Sequence, residues 1–166
     1  MNTLNTILRD AAISHGLCSQ WQSRWSRNLS KEELIRMFKE GQDFCILHDY
    51  PALADIRSLF SNEELEKEGI YLDTTSGPHE DMATAALGKG TYIMLGKCSG
   101  MFLIPRWQAV TIYARHDSHI TIKAQDHARV HVRLYDNAEV SAHFLTDATA
   151  SIHIFDRRKA RSTPQK

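Results

Sequence analysis

Residues 110–156 repeat every ten residues: VTIYARHDSH, ITIKAQDHAR, VHVRLYDNAE, VSAHFLTDAT and ASIHIFD. One apolar or small column runs Val110, Ile120, Val130, Val140 and Ala150. A second runs Ile112, Ile122, Val132, Ala142 and Ile152, and a third Ala114, Ala124, Leu134, Phe144 and Ile154. Small residues stand at Ser118, Ala128, Ala138 and Ala148. Even positions are apolar or small, apart from the column His116, Asp126, Asp136, Thr146 and Asp156, and odd positions are mostly polar, the side-chain alternation of a strand with one buried face. A single strand of this length would far exceed the usual ~3–10 residues. The chain must therefore turn once per repeat, at His116-Asp117, Asp126-His127, Asp136-Asn137, Thr146-Asp147 and Asp156. Asp and Asn suit such corners because their side chains bond nearby backbone amides and tolerate left-handed geometry.

A fixed short period predicts a coil in which each unit buries its inner face only by stacking on its neighbours. An antiparallel meander or sandwich is the alternative. Its hairpins favour Asn-Gly or Asp-Gly turns, yet no glycine follows Gly100. Every repeat also keeps the same order of apolar triplet, polar corner and small residue, which a parallel coil produces naturally. The predicted fold class is α+β: a small N-terminal helical domain followed by a short parallel β-solenoid. The period leaves open whether a full turn takes two repeats or three, and the hand of the coil.

Residues 1–72 read as the helical domain. Leu4, Ile7, Leu8 and Ala11 fall at helical spacing before Gly16, and Leu17, Trp21 and Trp25 form a stripe of core anchors. Ser30 and Glu33 form a capping box ahead of Leu34, Ile35, Met37 and Phe38, with Gly41 closing that helix. Asp49-Tyr50-Pro51 opens another helix, with proline in its first turn, carrying Leu53, Ile56, Leu59 and Phe60. Ser61 or Asn62 caps the last, which runs through Leu65 to Gly69, so five helices are expected. Cys45-Ile46-Leu47 reads as a buried connection. Residues 73–90, rich in Thr, Ser, Gly and Pro, read as a linker, and their His79-Glu80-Asp81 as ordinary loop polarity. Residues 91–104 are apolar at both parities and predict strands covered on both faces, with the helical domain as the cover. Residues 91–156 are the repeat domain and 157–166 a basic tail that would protect the far end of the coil.

The chain of 166 residues carries 20 basic and 20 acidic side chains, so no global field favours nucleic acid or an anionic membrane. Residues 110–166 hold 9 basic and 6 acidic groups, a net of +3, most of it in the tail. The three cysteines, Cys18, Cys45 and Cys98, lack metal-ligand spacing and read as free thiols. No signal peptide or transmembrane stretch is evident, so the expected location is cytoplasmic, with virion association compatible.

Asp136-Asn137-Ala138-Glu139-Val140 and Asp126-His127-Ala128-Arg129-Val130 resemble the D-x-A-x-V units of uncharacterised bacterial repeat proteins. His15-Gly16-Leu17-Cys18 with Trp21 and Trp25, and Asp43-Phe44-Cys45-Ile46 before Tyr50-Pro51, are similar to the front of one such family. Its members pair an N-terminal helical domain with C-terminal solenoid repeats and are often encoded near phage or mobile-element genes. The resemblance implies no activity. It implies a phage- or element-related structural or interaction role.

Six of the nine histidines lie in the repeat. Tyr113, Lys123, Arg133, His143 and His153 share one outward column, the candidate binding surface for an anion or glycan. Two repeats per turn would stack Lys123 with His143 on one face, and Tyr113, Arg133 and His153 on the other. The period of ten argues against hexapeptide-repeat acyltransferases, and no nucleotide-binding or nucleophile-elbow motif occurs. A non-enzymatic structural or protein-interaction scaffold is therefore expected, with self-association or a protein partner and no cofactor. A carbohydrate- or anion-binding module is the alternative, and an acyltransferase-like enzyme the least favoured reading.

Overall fold

The structure, a computed structural model, describes residues 3–25, 28–74, 90–145 and 149–158. The chain divides into two compact units, Met1–Glu68 and Gly69–Lys166.

The first unit contains six helices among the described residues: α1 Thr3–Ser14, α2 Ser19–Arg24, α3 Lys31–Glu40, α4 Gln42–His48, α5 Leu53–Leu59 and α6 Asn62–Glu66. Ser30 and Ser61 both form complete capping boxes, with Glu33 and Glu64. The bonds that Glu64 accepts, chiefly from the Ser61 amide, hold its carboxyl below its ordinary pKa. Ala12, Leu17, Cys45 and Tyr50 form a buried cluster against which Trp21, Trp25, Phe38 and Phe44 pack. The tryptophans are thus core anchors, and Trp25 also donates its Nε1–H to Asn5 Oδ1.

One element departs from expectation. The Cys45-Ile46-Leu47 segment is not a connection but the body of α4. Helical periodicity buries Cys45 and Ile46 and turns Leu47 outward, 77% exposed. Asp49, in the left-handed region, ends α4, and Pro51 stands ahead of the N-cap of α5 rather than in its first turn.

The second unit is a parallel β-solenoid of about three turns. Its strands are β1 Ile70–Leu72, β2 Thr91–Leu95, β3 Ser99–Ile104, β4 Ala109–Ala114, β5 His119–Ala124, β6 Arg129–Leu134, β7 Glu139–Phe144 and β8 Ser151–Asp156. They alternate between two sheets, one ordered β1-β2-β4-β6-β8 and the other β3-β5-β7. Every pairing is parallel. The ten-residue repeat is therefore half a turn. Val110 pairs with Val130 and Ile120 with Val140, each twenty residues on. The inward columns meet between the sheets: Ile112, Ala114, Ile122, Ala124, Val130 and Val132 are wholly buried. Ser118, Ala128 and Ala138 are buried at the corners, where only a small side chain fits.

Residues 70–72, read from sequence as the end of the helical domain, form β1 and pair with Ile93, Met94 and Leu95 of β2. The coil thus begins ahead of the 73–90 segment, whose residues 75–89, His79-Glu80-Asp81 among them, lie outside the described residues. Three residues are too few to show an alternation, which is why β1 escapes sequence reading. Both faces of β2 are buried, as residues 91–104 predict, but β3 alternates, with Met101 and Leu103 only half-buried.

β8 breaks the twenty-residue spacing. Arg129 pairs with Ser151 and Val132 with Ile154, an offset of 22. Six residues connect β7 to β8, where four connect β5 to β6. The extra two preserve parity, so Ile152 and Ile154 still point inward.

Truncating a wholly buried inward residue removes contacts to the turns above and below. Ile122→Ala is expected to cost ~2–5 kcal/mol, measured by urea unfolding. A cost under ~1 kcal/mol would contradict a stacked dry core.

Candidate functional site

The corners come in two kinds. After strands of the first sheet, the left-handed residue opens the corner: Asp73, Gly96, His116 and Asp136. After strands of the second sheet it comes one place later, at Trp107 and His127. Asp, His and Gly tolerate this geometry. Trp107, with φ of 65°, is the one bulky residue among them.

Corner side chains also tie successive turns together. The Gly96 amide donates to His116 Nδ1 at 3.1 Å, and the His116 amide to Asp136 Oδ2 at 3.0 Å. The Lys97 amide donates to Asp73 Oδ1 at 2.9 Å, and Asn137 Nδ2 to Asp117 Oδ1 at 2.9 Å. Asp126 accepts from Thr149 Oγ1 at 3.2 Å and faces Arg106 at 3.5 Å. The acids thus serve the turns. Two corner assignments do not carry over. Thr146-Asp147 lies outside the described residues. Asp156 is not a corner but the last residue of β8, opposite Leu134, because of the two-residue offset; it pairs with Arg158.

The predicted surface column divides between the sheets. Lys123 stands beside His143 on β5 and β7, and Tyr113 beside Arg133 on β4 and β6. The Arg133 guanidinium lies 5.4 Å over the Tyr113 ring, a cation–π contact. His153 is not in this column. The offset of β8 places Phe155 beside Arg133 and His153 beside His131, where the two imidazoles stack with centroids 5.4 Å apart. His143 and His153 therefore lie on different sheets. Among the described residues no group of three or more His, Cys, Asp or Glu side chains is placed to hold a metal ion.

The two outer faces differ in chemistry. The outward residues of β4, β6 and β8 are Ala109, Thr111, Tyr113, Arg129, His131, Arg133, Ser151, His153 and Phe155, without a carboxylate. On the other sheet His119 Nε2 lies 3.4 Å from Glu139 Oε2, an exposed pair of small energetic weight. At the edge of the first face the Trp107 indole stacks on the His127 imidazole, centroids 4.0 Å apart and 18° from parallel. These two rings, with Gln108, Ala109, Arg129 and Thr149, line an open groove of about 320 Å³. Sequence reading passed over Trp107, because it precedes the strict repeat. The signal available was its position, twenty residues ahead of His127.

The open turn at the end of the coil is the other exposed feature. The inward columns continue past Ile122, Ala124 and Val132, each wholly buried, into Ala142, Phe144 and Ile154, which are exposed. Phe144 and Ile154 are 54% and 46% exposed. Arg158 turns back onto Asp156 and donates to the Ala138 carbonyl at 3.2 Å. Lys159 and the rest of the basic tail lie outside the described residues.

Cys98 is buried, its Sγ 3.0 Å from the Leu95 carbonyl oxygen, and burial pushes its pKa up. No helix among the described residues is long and apolar enough to cross a membrane. No family model, curated protein or solved structure matches the chain.

Two outcomes follow from this geometry. Asp136→Ala removes the acceptor of the His116 amide and puts alanine in the left-handed region, so a loss of about 2 kcal/mol is expected in urea unfolding. Asp136→Asn keeps both features and should lose less than half of that. A disulfide-exchange reagent should titrate exposed Cys18 alone in the native protein, with buried Cys45 and Cys98 reacting only on denaturation.

Proposed function

We propose that the protein is a non-enzymatic scaffold that assembles through the open end of its coil, with a second copy of the chain as the occupant. The observation that carries this reading is the exposed final turn. Among the described residues β7 and β8 pair on one side only, and the core columns end there in Phe144 and Ile154. Natural edge strands are usually blunted by lysine, proline or a bulge. β7 and β8 contain no Lys, Arg or Pro, and Glu139 and Asp156 are their only formal charges.

A second copy fits this end for reasons of symmetry. A two-fold axis perpendicular to the coil sets the strands of the second copy antiparallel to the first across the junction. Directly opposed side chains then share a face, so the even-numbered inward columns continue from one coil into the other. Phe144, Leu145 and Ile154 are each about half exposed, and an end-to-end junction would cover the inward columns of both copies.

Size-exclusion chromatography with light scattering across a dilution series tests the reading. A dimer that dissociates on dilution is expected. Phe144→Lys, at an exposed position, should be monomeric throughout with an unchanged melting temperature for the monomer. Wild type that stays monomeric at every concentration, or a dimer indifferent to Phe144→Lys, would remove it.

A further inference from the structure

We propose that the corner built by Trp107, His127 and Arg129 is a binding subsite for an acidic glycan. One pyranose ring would lie on the indole, and its carboxylate against the guanidinium. This goes beyond the assembly reading and uses none of the residues at the open end.

The first observation is that neither packing nor turn chemistry accounts for Trp107. Its side chain is 71% exposed, the most exposed aromatic residue of the solenoid. Its backbone sits at φ of 65°, a region where the other corners use Gly, Asp or His. A bulky residue held in this geometry is strained, and such outliers gather at binding sites. The second is preorganisation. Stacking on His127 at 4.0 Å, 18° from parallel, fixes the plane of the indole. A ligand ring then meets a platform already set, with little ordering left to do.

The third is the chemistry around that platform. The groove is lined by small Ala109 and by the planar polar groups of Gln108, His127 and Arg129. Planar amide, imidazole and guanidinium groups match paired sugar hydroxyls and carboxylates, while the indole takes the apolar C–H face of the ring. Among the described residues the acid of this corner is Asp126, which is engaged by Thr149 and faces Arg106. Arg129 is exposed and has no ion pair among the described residues. Its fork is therefore available for bidentate contact with a carboxylate. The outward face beyond it carries no carboxylate to repel an anion.

A nucleic acid strand also combines stacking rings with negative charge, but it needs a track of cations for successive phosphates. Among the described residues beside Trp107 there is one such guanidinium, that of Arg129, since Arg106 faces Asp126 and Arg133 lies over Tyr113. One ring platform with one guanidinium fits a hexuronate or sialate residue.

The full chain can be titrated by calorimetry and tryptophan fluorescence with trigalacturonate and sialyllactose, neutral galactotriose, and a single-stranded thymidine dodecamer. Binding of at least one acidic sugar, with a shift in indole emission, is expected. The neutral trisaccharide should bind at least tenfold more weakly. Trp107→Ala should abolish binding with only a small change in melting temperature, because the indole is exposed and alanine keeps the same backbone geometry with its β-carbon. Arg129→Ala should reduce acidic-sugar affinity to the neutral level. The same titrations on Phe144→Lys separate this result from the state of assembly. Silence of both acidic sugars, binding indifferent to Trp107→Ala, or a dodecamer that binds as tightly as the acidic sugar would each overturn the proposal.

Discussion

No turn of this coil can bury its own inner face. Ile112 is dry because Tyr92 and Val132 stack beside it, and Ile122 because Phe102 and Ala142 do. The backbone obeys the same rule, since β4 and β5 find their strand partners twenty residues away in either direction. Stability is therefore shared between neighbours, as in other stacked-repeat proteins. Two consequences follow. The interior is rigid and regular, which lets the outer faces vary freely. Among the described residues the final turn has support on one side only, and Phe144 and Ile154 are exposed.

The corners extend this logic from apolar to polar groups. A left-handed residue leaves its amide pointing along the coil, and the corner side chain one turn later accepts from it, as His116 does from Gly96 and Asp136 from His116. An acid at a corner thus replaces a bond that the turn would otherwise lack. Asp117 and Asp126 also link turns, through the side chains of Asn137 and Thr149. The outward residues of β4, β6 and β8 are aromatic, basic or small and include no carboxylate.

Much of this architecture is legible in the residues. Even positions from Val110 to Ile154 announce the inward face, and the absence of glycine after Gly100 disfavours hairpins. The outward parity of Tyr113, Lys123, Arg133 and His143 follows directly, and so do the pairs Tyr113–Arg133 and Lys123–His143 once a turn takes two repeats. His153 could not be placed because an even insertion leaves the alternation intact: two added residues slide β8 along its neighbour without turning any side chain over. β1 is too short to carry a pattern. α4 follows α3 with only Gly41 between them, so one helical rhythm hides the second. Trp107 lies before the strict repeat, and its stacking on His127 depends on a corner geometry that no alternation encodes.

The ten-residue repeat is half of a parallel turn, with a single slip of two residues before the last strand. Nuclear Overhauser contacts between backbone protons of neighbouring strands test it most directly in uniformly labelled protein. Contacts are expected between Ile112 and Val132 and between Ile122 and Ala142, twenty residues apart, and between Val132 and Ile154, 22 apart. Contacts at a separation of thirty, or pairs whose residue numbers keep a constant sum as antiparallel strands require, would contradict it.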